Sequence, residues 1–238
     1  MGEFAGTLVL ILLGDGVVAN VLLKRSKAEG AGWMVITTAW GFAVFCGILT
    51  AIAFGSPDAH LNPAVTLAFA ITSGSFAKVA PYWTAQLLGA FTGATLVWLF
   101  FLPHWGLTED QNAKLACFCT SPAIRHYPGN LFCEVIGTML LIIVVAAIGS
   151  KALAANGLSA GFGPYFVSIL VWAIGLSLGG TTGYAINPAR DFGPRIAHAL
   201  WPVAGKGSSD WSYALVPIAG PLLGATLAAL ILKAVGIA

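Results

Sequence analysis

Apolar residues run through this chain in long unbroken stretches, and six of them, near 4 to 23, 33 to 55, 80 to 102, 131 to 150, 162 to 180 and 212 to 235, are long enough to cross hydrocarbon as helices. Two shorter apolar stretches follow Asn62 and Asn187 and end around Ser73-Gly74 and Leu200-Trp201-Pro202. The longest polar connection, Pro103 to Asn130, carries Thr108-Glu109-Asp110-Gln111-Asn112 and Ser121-Pro122 and divides the chain near its middle. The pattern predicts an all-α membrane protein: one transmembrane domain over 1–238, with six spans and two re-entrant half-helices. Its halves cover about 1–102 and 131–238, joined by a loop of about 103–130.

Both short stretches open on the same tripeptide, Asn62-Pro63-Ala64 and Asn187-Pro188-Ala189. Asparagine is a favoured helix N-cap and proline is pre-set for the first helical position, so each copy reads as a helix start. The backbone leading into such a start is non-helical at membrane depth, which is tolerable only where it lines a wet cavity or is buried in protein. Each capping asparagine can give its oxygen to its own helix's free amides and turn its NH2 donors toward a lumen. Each half-helix start also presents roughly half a positive charge.

The halves match in detail. Glu3-Phe4-Ala5-Gly6-Thr7 is echoed by Glu134-Val135-Ile136-Gly137-Thr138, the tripeptides follow those glutamates by 59 and 53 residues, and Leu87-Leu88-Gly89-Ala90 is echoed by Leu222-Leu223-Gly224-Ala225. Three features in one order, twice, indicate an internal repeat. With three spans per repeat, the second copy enters the membrane from the opposite face. The repeats are therefore inverted, and the half-helix starts meet near the midplane around a central pore, where discontinuous helices place a substrate path. Gly89, Gly93, Gly137, Gly175, Gly179, Gly180 and Gly224 are expected to let helices approach closely.

Composition agrees. With 58% hydrophobic residues, 8% charged residues and a mean hydropathy of +0.88, lipid must be the solvent. A net charge of +2 without a basic cluster excludes nucleic acid as a partner, and Lys24-Arg25-Ser26-Lys27 is an ordinary loop run. Cys46, Cys117, Cys119 and Cys133 lack metal-type spacing and are expected to be packing or solvent-facing thiols; Cys117 and Cys119 share a loop, but nothing in the sequence supports a disulfide. His104, His126 and His198 form no cluster, so neither metal nor cofactor is expected. The opening segment resembles a later one and reads as a retained first span. The positive-inside count alone would put the termini outside, since Lys24, Arg25, Lys27, Lys114, Arg125 and Lys206 outnumber Lys78, Lys151 and Lys233 at the other face.

Over its whole length the chain resembles the major intrinsic proteins, the aquaporin and aquaglyceroporin family. The most specific strings are His60-Leu61-Asn62-Pro63-Ala64-Val65-Thr66 and Gly183-Tyr184-Ala185-Ile186-Asn187-Pro188-Ala189-Arg190-Asp191-Phe192-Gly193-Pro194. The resemblance is nearest to bacterial glycerol facilitators. It implies a passive channel for glycerol, water and other small neutral solutes, a homotetramer, and a bacterial plasma membrane location with both termini cytoplasmic. It also implies a selectivity filter of Arg190, Trp40, Gly175 and Tyr184. Trp40 stands 22 residues before Asn62, which needs a short insertion at Ser56-Pro57-Asp58 relative to the family. Water-selective members place histidine where Gly175 stands, and its loss is expected to widen the gap. Asp191 follows the glycerol-conducting pattern, whereas Tyr184 replaces the usual phenylalanine.

Arginine inside a membrane costs at least about 2.5 to 3.5 kcal/mol and is therefore usually functional or paired. Asp191 adjoins Arg190, but adjacent helix residues do not face one another. Glu3 and Glu134 are expected to support the irregular backbone before each half-helix, with His60 beside them; as proton relays they would instead suit a proton-coupled secondary transporter. Protonated lactic acid and dihydroxyacetone are alternative cargo. No nucleophile, base or metal constellation points to an enzyme.

Overall fold

The computed structural model describes residues 1–151, 153, 158–159 and 161–237, and among them every regular element is a helix. The first half supplies α1 (Gly2–Leu22), α2 (Trp33–Ala53), α3 (Pro63–Ser73) and α4 (Val79–Phe100). Two short connecting helices follow, α5 (Leu102–Trp105) and α6 (Gln111–Ala116). The second half supplies α7 (Tyr127–Ile148), α8 (Phe162–Leu178), α9 (Pro188–Leu200) and α10 (Leu215–Ala234).

The helices α1, α2, α4, α7 and α10 run 20 to 22 residues, and at 1.5 Å per residue they reach about 30 Å. At 17 residues, α8 is at the short end for a span. Large apolar side chains remain exposed around the bundle, among them Phe42, Phe100, Phe132 and Leu223, as expected of a lipid-facing surface.

The packing of the first half recurs in the second. Helix α1 lies against α2 and α4, as α7 lies against α8 and α10. Each half-helix packs on the third span of the other half, α3 on α10 and α9 on α4. A Cβ on Gly89 would stand 2.4 Å from the Phe4 carbonyl oxygen, and one on Gly224 would stand 2.3 Å from that of Val135. Phe4 and Val135 follow the two glutamates of the repeat, so one close helix crossing is built twice. The same expectation fails at Gly180, where a Cβ would meet nothing within 4 Å.

The stretch 103–130 is more than a polar connection. Asp110 caps α6 by accepting from Asn112 N and Ala113 N at 2.8 and 3.2 Å. Lys114, counted among the positive charges of one membrane face, is buried and donates to the Ala204 carbonyl. Cys117 and Cys119 are buried free thiols, which corrects the solvent-facing alternative. Lys206 likewise spends its ammonium on the carbonyls of His198, Ala199 and Trp201 at the end of α9.

Candidate functional site

The two tripeptides start α3 and α9 as their residues dictate. Asn62 Oδ1 accepts from Ala64 N at 2.9 Å, and Asn187 Oδ1 accepts from Ala189 N at 3.0 Å and Arg190 N at 3.2 Å. Pro63 and Pro188 take the first helical position, and Ala64 and Ala189 are fully buried. The capping asparagines also do something the sequence did not reveal. Asn62 Nδ2 donates to the Ile186 carbonyl and Asn187 Nδ2 to the Leu61 carbonyl, both at 2.8 Å. Each tip is thereby tied to the backbone before the other, and one NH2 proton of each asparagine, not two, remains for the lumen.

That backbone is strained. Ala59 and Leu61 have φ of 45° and 53°, and Tyr184 and Ile186 have φ of 37° and 42°, a region that residues with a Cβ seldom occupy. The two glutamates hold it. Glu3 accepts from His60 N at 2.9 Å and Leu61 N at 2.8 Å, as well as from Ser56 Oγ and Gln86 Nε2 at 2.7 Å each. Glu134 accepts from Ala185 N at 3.0 Å, Ile186 N at 2.8 Å and Thr182 Oγ1 at 2.6 Å. Ser56, where the family resemblance implies a short insertion, thus reaches the first carboxylate directly. Neighbouring Asp58 accepts from Lys78 and from Tyr82 Oη at 2.9 Å, and chiefly through Lys78 its carboxyl lies below the usual range.

A cavity of about 260 Å³ runs past these tips. Near one end it is bounded by Ile52, Pro57, Asp58, His60 and Pro164; Asn62 and Asn187 line it where the half-helices meet, and Trp40, Tyr184 and Arg190 close in on it beyond. His60 both faces the cavity and is fixed, with Nδ1 3.1 Å from Thr66 Oγ1 and its ring stacked on Phe69.

Arg190 is nearly buried, and the Trp40 ring lies 4.2 Å beneath its guanidinium carbon. Among the described residues its guanidinium forms no hydrogen bond, and its nearest carboxylate is Asp15 of α1, with Oδ1 3.9 Å from Nη1. Asp15 thus places an acid beside the arginine of the second tripeptide. Asp191 pairs elsewhere: its oxygens accept from Arg195 Nε at 2.8 Å and from Thr120 N and Oγ1 at 2.8 and 2.7 Å. Arg195, fully buried, adds bonds to the carbonyls of Ser209, Asp210 and Thr120. The i,i+4 spacing of Asp191 and Arg195 is a readable signal for this anchor.

Gly175 behaves differently from the expectation. The space it leaves is occupied by Tyr184, since a Cβ at 175 would come within 2.7 Å of Tyr184 Cζ and 2.8 Å of its Oη. Gly175 is not part of the cavity wall, whereas Tyr184 is. The missing side chain therefore seats the phenol instead of widening the gap.

The chain as a whole is similar to known proteins. The profile described as Major intrinsic protein matches residues 1–232. A probable glycerol uptake facilitator protein of Thermotoga maritima is 56% identical over 230 residues, covering 96% of this chain and 95% of the relative. Glycerol uptake facilitator protein 3 of Lactiplantibacillus plantarum is also 56% identical, over 97% of this chain and 94% of its own. The X-ray structure of the aquaglyceroporin from Plasmodium falciparum superposes with a TM-score of 0.83 at 29% identity, covering 98% of this chain and 93% of that one.

Proposed function

Because the chain belongs to the major intrinsic protein family, we propose that it is a passive, multi-pass membrane channel conducting glycerol, water and other small neutral solutes while excluding ions and protons. The observation that carries this reading is one cavity lined by both capping asparagines and by an arginine whose guanidinium has no hydrogen-bond acceptor among the described residues. Leu10, Val44, Ile48, Val65, Leu141 and Val167 give the wall a continuous apolar side, which suits a solute with a carbon face and a row of hydroxyls.

In this reading Asn62 and Asn187 each offer one free N–H to a passing oxygen at the midpoint. Trp40, Tyr184 and Arg190 form the selectivity constriction: the guanidinium donates to hydroxyls, and the two rings take the carbon backbone. Gly175 belongs to the filter as the position that admits the Tyr184 ring. Each half-helix end carries roughly half a positive charge and repels a monovalent cation about 5 Å away by about 1.7 kcal/mol at an effective dielectric near 20. The larger barrier is dehydration, which an apolar wall with a few donors cannot compensate. Donors meeting from both sides turn the central water oxygen toward them and oppose an excess proton.

The same reading makes the protein a homotetramer in a bacterial plasma membrane, with both termini cytoplasmic. Purified protein in liposomes is expected to admit glycerol down its gradient without proton or sodium movement, in a panel with water, urea, dihydroxyacetone and lactic acid at low pH. Saturable uptake abolished by an uncoupler would overturn the channel in favour of coupled transport. Lactic acid flux exceeding glycerol flux would reassign the cargo but leave the channel intact.

A further inference from the structure

Asp15 lies well inside α1, is fully buried, and neither of its carboxylate oxygens has a hydrogen-bond partner among the described residues. A carboxylate at membrane depth is expensive and calls for a reason. Among the described residues its one neighbour of opposite charge is Arg190, with Nη1 3.9 Å from Oδ1 and likewise without a hydrogen-bond partner. The other acid nearby, Asp191, is committed to Arg195 and Thr120. Asp15 itself is not part of the cavity wall; on this side the wall is Leu10, Trp40 and Arg190.

The preceding residue ties the pair to the aromatic partner. A Cβ on Gly14 would sit 2.4 Å from two Trp40 ring atoms, so α1 must carry glycine there for Trp40 to lie under the guanidinium. Gly14 thus seats the ring against Arg190, while Asp15 presents its carboxyl group beside the same side chain.

We propose that Asp15 is the counter-ion that positions Arg190 and sets the charge of the constriction, and so is a specificity-determining residue acting from behind the pore wall. With the carboxylate beside it, the guanidinium keeps its short-range donors toward the lumen while its long-range positive field is largely cancelled. That combination favours neutral polar solutes, because donation to a hydroxyl survives and attraction of anions does not. Without the carboxylate, Arg190 is an uncompensated cation free to lean into the lumen, where it narrows the path for polyols more than for water.

This inference rests on the channel reading, and the experiment separates the two. Water and glycerol permeabilities are measured in liposomes for the wild type, Asp15→Asn, Asp15→Glu, Arg190→Ala and Arg190→Ala combined with Asp15→Asn. Asp15→Asn keeps shape and loses charge; it is expected to lower the glycerol-to-water ratio by about two- to tenfold, the weight of one displaced polar contact. Asp15→Glu keeps the charge but overfills a fully buried site, and is expected to hold the ratio within about twofold of wild type. On the Arg190→Ala background Asp15→Asn should change nothing further, as a residue acting through Arg190 must. A merely structural aspartate gives the opposite order, with the isosteric Asn tolerated better than Glu and its effect undiminished without Arg190; either result overturns the proposal. Should Asp15→Asn fail to reconstitute, Asp15→Glu decides alone, and a collapsed ratio there refutes the counter-ion role. A wild type that carries no glycerol instead refutes the channel reading.

Discussion

Gly175→Ala should throttle glycerol while sparing water, and the size of the effect follows from three contacts. The added methyl would stand 2.7 Å from Tyr184 Cζ, 2.8 Å from Tyr184 Oη and 3.0 Å from Thr37 Cγ2, against about 3.4 Å for ordinary contact. Something must yield by about 0.7 Å. The backbone of α8 resists, because Trp33 Nε1 donates to the Gly175 carbonyl at 3.0 Å. On α8 the ring is also hemmed by Gly179, where a Cβ would be 2.5 Å from Tyr184 Cδ1, and Trp33 meets it edge-on at 5.9 Å between centroids. The cavity is the direction left open, so the phenol moves inward and narrows the constriction. Overpacking of this kind costs about 1 to 3 kcal/mol, and a solute wide enough to touch the displaced ring meets it as barrier. Stopped-flow light scattering on proteoliposomes should record glycerol permeability at least about fivefold lower and water permeability within about twofold of wild type, with Gly175→His more severe. Tyr184→Phe should not rescue the alanine variant, since the clash with Cζ alone persists; Tyr184→Val should. Equal losses for water and glycerol, or an unaltered glycerol rate, would show that the ring does not yield toward the lumen and refute the assignment.

Other expectations are briefer. Glu134→Gln replaces a carboxylate that faces only donors with an amide that turns an NH2 toward them, and should cost about 1 to 3 kcal/mol in detergent melting while lowering flux of all solutes together; selective loss of one solute would contradict a purely supporting role. Tyr184→Phe removes a buried hydroxyl without a partner among the described residues and should leave the melting temperature unchanged or raised; a marked fall would mean that the hydroxyl is hydrogen-bonded in the working protein. In the loop before α10, burial alone would raise the Asp210 carboxyl, but Arg125 and Ser212 outweigh it and hold it below its ordinary value. A depressed carboxyl stabilises above its unfolded pKa of about 3.9 and loses that contribution as pH falls through the folded value. The stability advantage of wild type over Asp210→Asn should therefore be constant above about pH 5 and shrink below about pH 4; growth toward acid would invert the sign.

The half-helices were legible because their signals are local: Asn followed by Pro caps and starts a helix whatever surrounds it, and α3 and α9 begin at Pro63 and Pro188. Glu3 and Glu134 were legible because the repeat puts them at equivalent points. What stayed hidden depends on contacts between distant segments. Nothing in the sequence around Asn62 reveals that its amide reaches Ile186, 124 residues away. Gly175 illustrates the same limit, since an absent side chain reads as space until the segment carrying Tyr184 is known to fill it. Asp15 was masked by its setting, an acid well inside a mostly apolar span, whose neighbour Arg190 lies 175 residues downstream. Lys114 and Lys206 misled for a related reason: counted as loop charges they argue about orientation, yet both are spent on backbone carbonyls.

The strain before each half-helix also bears on why this is a channel and not a proton-coupled carrier. Holding non-glycine residues at positive φ costs of order 1 to 3 kcal/mol apiece, and both linkers contain two of them. Charge-assisted bonds from backbone N–H groups to a carboxylate are strong enough to offset that cost, and neutral ones are about half as strong. Glu3 accepts four hydrogen bonds, two on each oxygen. Protonating it would turn one acceptor into a donor facing other donors, weakening the bonds that hold Leu61 in place and, through the Leu61 carbonyl, the Asn187 tether to the opposite tip. A transport cycle that loaded and unloaded a proton there would have to loosen the junction of both half-helices at each turn. The carboxylates are thus used up by the architecture, since every hydrogen bond they accept holds the backbone or a side chain around the half-helix starts.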